Sequence, residues 1–271
     1  MGFLTDVVAE TRRELRERPP DERALAVAAA AAPAPRDLSG SLRLGARARG
    51  VALIAEVKRA SPSAGAIAPD ADPVAQAASY AGAGATAVSV LTESRHFGGS
   101  FEDLARVREA VDLPVLCKGF VVEPVQILQA RAGGADAVLL ITAALNGSAL
   151  SELIGSVRAL GMEPLVETHS ELDLERALGT EASLIGVNAR DLESLVVDVA
   201  RARERVRAIP ADRVAVLESG IAEASDVTSA VAAGASAVLV GEALMRAGDP
   251  GAKVAELLAG VEPLAARGGA A

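Results

Sequence analysis

A (β/α)8 TIM barrel with an N-terminal helical extension is the fold class this sequence predicts, on three observations. From Val51 onward, short apolar runs rich in β-branched residues alternate with amphipathic stretches, the pattern of βαβ crossovers and a parallel sheet. Eight such runs occur, enough for the sheet to close. The chain has 271 residues, 51% of them hydrophobic but only 2% aromatic. Its length therefore suits a barrel, which typically needs ~250 residues, and its core must be built from Val, Leu, Ile and Ala, as a sheet buried on both faces requires.

In chain order, residues 1–50 are expected to form the extension, packing on the barrel. Phe3 to Arg18 alternates apolar and charged residues at helical spacing, and Pro19-Pro20 ends that helix. The alanine-rich run Ala24–Ala32 that follows stops at Pro33-Ala34-Pro35; low-complexity linker and short packed helix are both open there. Residues 51–260 form the catalytic barrel. Its strands are Val51–Val57, Thr86–Leu91, Pro114–Cys117, Asp136–Ile141, Glu163–Glu167, Leu184–Asn188, Val214–Glu218 and Ser236–Val240. Helical patterns between them include Asp72–Ala83, Phe101–Val111, Glu123–Ala132, Ser148–Leu160, Ser170–Leu178 and Glu223–Ala233. Glycines after Ala81, Ala132 and Ala233 fall where a helix ends before the next strand, a structural cap position. Residues 261–271 are expected to be a flexible tail.

A net charge of −9 argues against nucleic acid or an anionic membrane as a main partner. The lone Cys117 cannot close an intramolecular disulfide. No apolar stretch reaches the ~18 residues of a spanning helix, and Asp6, Glu10 and Arg12 interrupt the N-terminus where a signal peptide would be apolar. A cytoplasmic monomer acting on a small phosphorylated molecule is expected.

Reacting groups in such a barrel lie at the carboxyl ends of the strands. Those ends carry Glu56 and Lys58, Thr92 and Glu93, Lys118, Thr142, Glu167, Asn188 and Arg190, Glu218-Ser219, and Gly241. One charged residue at a strand end is usually the first solvated position, but closure brings all eight ends around one mouth. Two lysines and three glutamates there must perturb one another's protonation, as acid–base chemistry needs. Glu56 and Lys58, two apart, share one face of a strand. The last two strands each run into glycine just before a helix, so N–H groups at Gly220, Gly241 and Glu242 could cradle a phosphate. Cys117 precedes Lys118 and so points into the helix layer, as an inert buried thiol. His96 and His169 are the only histidines, without a ligand set around them, and no dinucleotide fingerprint follows the first strand. Neither metal nor cofactor is expected.

Ala52-Leu-Ile-Ala-Glu-Val-Lys-Arg-Ala-Ser-Pro-Ser63 closely resembles the first-strand signature of indole-3-glycerol phosphate synthases. Pro114-Val-Leu-Cys-Lys118, Leu165-Val-Glu-Thr-His169, Ile185-Gly-Val-Asn-Ala-Arg-Asp-Leu192, Glu218-Ser-Gly-Ile221 and Gly241-Glu-Ala-Leu-Met-Arg246 match in order. The resemblance implies conversion of 1-(2-carboxyphenylamino)-1-deoxyribulose 5-phosphate to indole-3-glycerol phosphate, with loss of CO2 and water and no cofactor. It implies that Lys118, its pKa lowered in a cationic mouth, is the general acid for ring closure. Lys58 would bind the carboxylate and is a second acid for dehydration, and Glu167 the base or charge stabiliser. Glu56 and Asn188 would orient these groups, supported by Glu218 and Ser219. Ser61, Gly220, Gly241 and Glu242 would hold the phosphate with Arg190 nearby, and Phe97 and Phe120 would line the aryl pocket. The N-terminal segment would lie over the mouth.

Three positions depart from the family pattern: Gly119 replaces an aspartate, His96 precedes Phe97 where a second phenylalanine is usual, and Ala64 replaces a lysine. Two other readings compete. A phosphoribosylanthranilate isomerase-like barrel would end its first strand in cysteine, whereas this one ends in Glu56-Val-Lys58. A non-catalytic barrel binding phosphometabolites would have no use for the crowded charges, which cost stability when unpaired.

Overall fold

The computed structural model describes residues 2–261. Eight parallel strands close a barrel: β1 (Ala52–Val57), β2 (Ala87–Leu91), β3 (Val115–Lys118), β4 (Ala137–Ile141), β5 (Glu163–Thr168), β6 (Leu184–Asn188), β7 (Val214–Glu218) and β8 (Ala237–Val240). Each strand pairs with its neighbours in sequence, and β8 closes on β1 with Ala52 opposite Ala237 and Ala55 opposite Val240. The eight apolar runs of the sequence are these strands, their ends shifted by at most one residue.

Alternation along each strand sorts its side chains into two layers. Leu53, Ala55 and Val57 of β1 face outward with Val115, Cys117 and Val166 into the shell beneath the helices. Ala52 and Ile54 face inward with Leu116, Leu139, Leu165, Leu184, Val216 and Leu239 and fill the barrel. Cys117 is thus in the outer layer, as expected, and burial pushes its thiol up to about 12, which leaves it protonated and inert.

Residues 3–49 form three helices that touch different parts of the barrel: α1 (Phe3–Glu17), α2 (Glu22–Ala31) and α3 (Leu38–Arg49). The alanine-rich run is therefore helical, and α2 packs along α6 (Pro124–Ala132). Arg131 of α6 fastens the connection after α2, donating from Nη2 to the carbonyls of Ala32 at 2.8 Å and Pro33 at 2.6 Å. The α3 helix, which the sequence reading did not anticipate, starts at an Asp37 side chain accepting from Gly40 N–H and ends at Gly50 with φ 82°. Its Leu38 and Leu42 are wholly buried in the inner layer, so α3 closes the amino end of the barrel.

The outer shell continues with α4 (Pro73–Gly82), α5 (Phe101–Ala110), α6, α7 (Ala149–Ala159), α8 (Glu171–Leu178), α9 (Val199–Arg207), α10 (Ala224–Ala232), the short α11 (Glu242–Met245) and α12 (Pro250–Leu258). Among the described residues no helix is long and apolar enough to cross a membrane. The tail expected at 261–271 lies, apart from Val261, outside the described residues.

Candidate active site

The inward positions that pack the barrel with Ile54, Leu116, Leu165 and Val216 are followed, two residues later on the same strands, by Glu56, Lys118, Glu167 and Glu218. Period-two alternation thus carries the apolar interior directly into a charged top layer, completed by Asn188 of β6. Glu56, Glu167, Asn188 and Glu218 are all buried. Two inward glycines make room for them. A Cβ at Gly186 would overlap Glu218 Oε1, and one at Gly241 would overlap Glu56 Oε2. Gly186 was not singled out in the sequence; its place on β6 directly opposite Glu167 is the signal that only the closed sheet supplies.

Lys118 stands at the centre. Its Nζ lies 3.2 Å from Glu167 Oε2 and makes a short ion pair with Glu218 Oε2. Asn188 Nδ2 donates to Glu167 Oε1 at 3.2 Å. On the other side of the mouth Lys58 Nζ pairs with Glu56 Oε2 at 2.8 Å, the partnership predicted from their spacing.

These contacts correct one expectation. Burial alone would lower the Lys118 pKa, but the facing carboxylates of Glu218, Glu167 and Glu56 override it and raise it above the ordinary ammonium value. The surroundings of Lys118 are anionic, and it is held charged. Burial also works against the charge of Glu167, yet Lys118 and His169 hold that carboxyl below the usual range. Glu218 moves the other way: burial and the charge of Glu167 outweigh Lys118 and push it up to about 8. One ammonium cannot fully offset two carboxylates in a dry site, so the pair titrates as a unit and retains a proton near neutrality.

The rest of the cavity divides into a polar corner and an aromatic wall. In the corner, Ser219 and Gly220 both adopt the left-handed conformation, with φ 67° and 72°, and they sit beside Ser61, Gly241, Glu242 and Arg190. The Glu242 carboxylate turns away to Arg246 at 3.0 Å, leaving its backbone N–H at the start of α11. Arg190 donates from Nη1 to Leu195 O at 2.9 Å, fixing the β6–α9 loop. The wall is Phe97 against Phe120, 6.1 Å between centroids, with Phe3 of α1 edge-on to Phe120 at 6.1 Å. Leu4 N–H bonds Leu192 O at 3.1 Å, and Arg95 pairs with Glu10 and Glu14, so α1 is tied across the mouth to two loops.

All of Glu56, Lys58, Ser61, Phe97, Lys118, Phe120, Glu167, Asn188, Arg190, Glu218, Ser219, Gly220, Gly241 and Glu242 line this one cavity, with Phe3, Leu192 and Leu195 joining them. Three other strand-end residues do not. Thr92 bonds the carbonyl of Lys118, Glu93 caps the N–H groups of its own loop, and Thr142 is buried. His169, set aside in the sequence as lacking metal partners, proves to lie against Glu167, with Nε2 3.0 Å from Oε1.

Fold and mouth together define a (β/α)8 barrel with a buried lysine–glutamate cluster at the carboxyl end of its strands. The chain belongs to the indole-3-glycerol phosphate synthase family, whose pattern matches residues 4–257, and the members of that family are carboxy-lyases of tryptophan biosynthesis. It is 50% identical to the indole-3-glycerol phosphate synthase of Mycobacterium ulcerans strain Agy99 over 87% of this chain and 86% of that one. It is 48% identical to that of Mycobacteroides abscessus over 97% and 93%. Among solved structures, a 3-hexulose-6-phosphate synthase superposes with a TM-score of 0.63 over 77% of this chain and 99% of its own, at 16% identity, a likeness of fold.

Proposed function

We propose that this protein converts 1-(2-carboxyphenylamino)-1-deoxyribulose 5-phosphate to indole-3-glycerol phosphate, and that the residues lining the mouth carry the reaction. The observation that carries the reading is Lys118 seated between Glu167 and Glu218, because this triad joins a proton donor and a proton acceptor within one hydrogen bond. The substrate phosphate lies in the corner of Ser61, Ser219, Gly220, Gly241 and Glu242 beside Arg190, and the aryl ring lies against Phe97 and Phe120. The aryl carbon bearing the carboxylate attacks the carbonyl carbon, and Lys118 gives a proton to the oxygen as the bond forms. Carbon dioxide then leaves, and its bonding pair restores the ring. Lys58 binds the carboxylate before it departs and protonates the hydroxyl that leaves as water. Glu167 takes the proton from the adjacent carbon, closing the new double bond, and the 3.2 Å contact returns that proton to Lys118. Glu56 and Asn188 hold the two working groups in place, and Glu218 and Ser219 support Lys118 and the phosphate.

Residues 1–50 serve as an extension whose α1 covers the mouth, and 51–260 as the catalytic barrel. The protein acts as a cytoplasmic monomer, and its net charge of −9 disfavours a nucleic-acid or anionic-membrane partner. The test is the fluorescence of the indole product formed from the carboxyphenylamino substrate. The parent should turn over, and Lys118→Ala and Glu167→Ala should lose most activity while remaining folded. Binding without product in the parent would overturn the assignment.

A further inference from the structure

Glu167 has more donors around it than the reading above uses. Oε2 faces Lys118 at 3.2 Å; Oε1 takes Asn188 Nδ2 at 3.2 Å and lies 3.0 Å from His169 Nε2. The imidazole lies two residues beyond Glu167, leaving β5 on the same side. It does not line the cavity, and its side chain is only 6% exposed. The ring is held from behind by its own backbone: His169 O accepts from Arg205 of α9, and His169 N–H donates to Asp173 of α8 at 3.3 Å. Asp191, in the β6–α9 loop, is the other nearby charge, and its carboxyl is held down mainly by Ser194 and in small part by His169. Both ring nitrogens are shut from solvent without an aligned hydrogen-bond partner among the described residues. A buried, unsatisfied imidazole is costly, and here its Nε2 lies 3.0 Å from an oxygen of a catalytic carboxylate. Such contacts commonly align only in the substrate complex.

We propose that His169 is a positioning residue: its Nε2–H, with Asn188, occupies Glu167 Oε1, so that Oε2, the oxygen facing Lys118, is the one that exchanges protons. This rests on the proposed synthase reaction. The imidazole touches no substrate atom and moves no proton itself. Its contribution is to keep the carboxylate ionised and its basic oxygen aimed at the reacting carbon.

The test compares the parent with His169→Leu, which removes the donor, and His169→Gln, which can return one near the position of Nε2. His169→Leu should lower kcat by about ten- to hundredfold, the range for losing a hydrogen bond to a charged group, with KM within about threefold. The acid limb of its kcat–pH profile should shift to higher pH, because losing a donor to the carboxylate raises the Glu167 pKa. His169→Gln should recover most of kcat and the parental profile. Equal losses in both variants with an unshifted profile, or a change in KM alone, would assign His169 to packing and overturn the proposal. An infrared titration of the buried carboxyls in parent and His169→Leu needs no turnover. A raised carboxyl titration there supports the contact even if the synthase reading fails, and an unchanged one sinks it even if that reading holds.

Discussion

Lys118 and Glu167 meet at 3.2 Å from strands β3 and β5, 49 residues apart in the chain. Barrel closure makes this contact, and it stands directly above the apolar layer that fills the barrel. In such a setting an ion pair is geometrically sharp, yet removing one member strands a buried charge. Lys118→Met is expected to reduce kcat by about 10²- to 10⁴-fold, the scale of a lost general acid. It should also make stability pH-dependent. Without the ammonium both carboxyls favour the protonated form, so the variant's deficit in Tm relative to the parent should deepen from about pH 5 to about pH 8, as read by calorimetry.

Glu218 gives a separate pH signature in the intact site. The folded protein holds a proton on a carboxyl pushed up to about 8, which the unfolded chain releases near the ordinary value of 4.5. The native state therefore binds more protons between these limits, and this group's contribution to stability declines as pH rises through that window. Glu218→Gln removes the decline. The Tm difference between Glu218→Gln and the parent should shift in favour of the variant from about pH 5 to about pH 8, and a difference that stays flat would exclude the raised carboxyl.

Gly119 faces Thr92. A Cβ built there would come 2.8 Å from Thr92 Oγ1, closer than neighbouring atoms settle. Gly119→Ala is expected to cost about 1–3 kcal/mol, the range for overpacking. Thr92→Ala should relieve most of it, so denaturant unfolding of the single and double variants should show strong non-additivity.

Gly220 follows Ser219 in the left-handed region, and a Cβ at Gly220 would run into Val199 Cγ2. Gly220→Ala should destabilise the fold by about 1–3 kcal/mol and raise KM for the phosphorylated substrate. Inhibition by inorganic phosphate should weaken in parallel, which separates loss of the corner from a general loss of structure.

Phe3 supplies the part of the aromatic wall that comes from outside the barrel. Phe3→Ala removes roughly 1–2 kcal/mol of partly buried apolar contact. KM should therefore rise about tenfold while kcat changes little, and steady-state kinetics would read both.

The layering of this site was legible because β alternation is strict. Once the strands were placed, Glu56, Lys118, Glu167, Asn188 and Glu218 had to face inward at the same end, and Glu56 had to stand beside Lys58. Which lysine meets which carboxylate was not legible, because β3, β5 and β7 approach only across the closed interior. The expectation of a lowered Lys118 pKa failed for that reason: the mouth holds both lysines and three glutamates, but the carboxylates of Glu218, Glu167 and Glu56 are the charges that face Lys118. His169 carries a readable signal in its spacing of two from Glu167, which places both on one face of the strand. The α3 helix was also readable, from Asp37 at its start, Leu38, Leu42 and Ala46 on one face, and Gly50 at its end.

The two ends of the barrel are covered by helices that leave the ribosome before any barrel strand. Leu38 and Leu42 of α3 lie in an interior that does not exist until β8 has paired with β1, and α1 is anchored to the loop at Leu192, also made late. During synthesis α1 and α3 must wait with their apolar faces uncovered while most of the barrel is still being added, at about 5–20 residues per second. The nascent protein thus spends on the order of ten seconds with the apolar faces of α1 and α3 unburied, the interval in which a chaperone would find it.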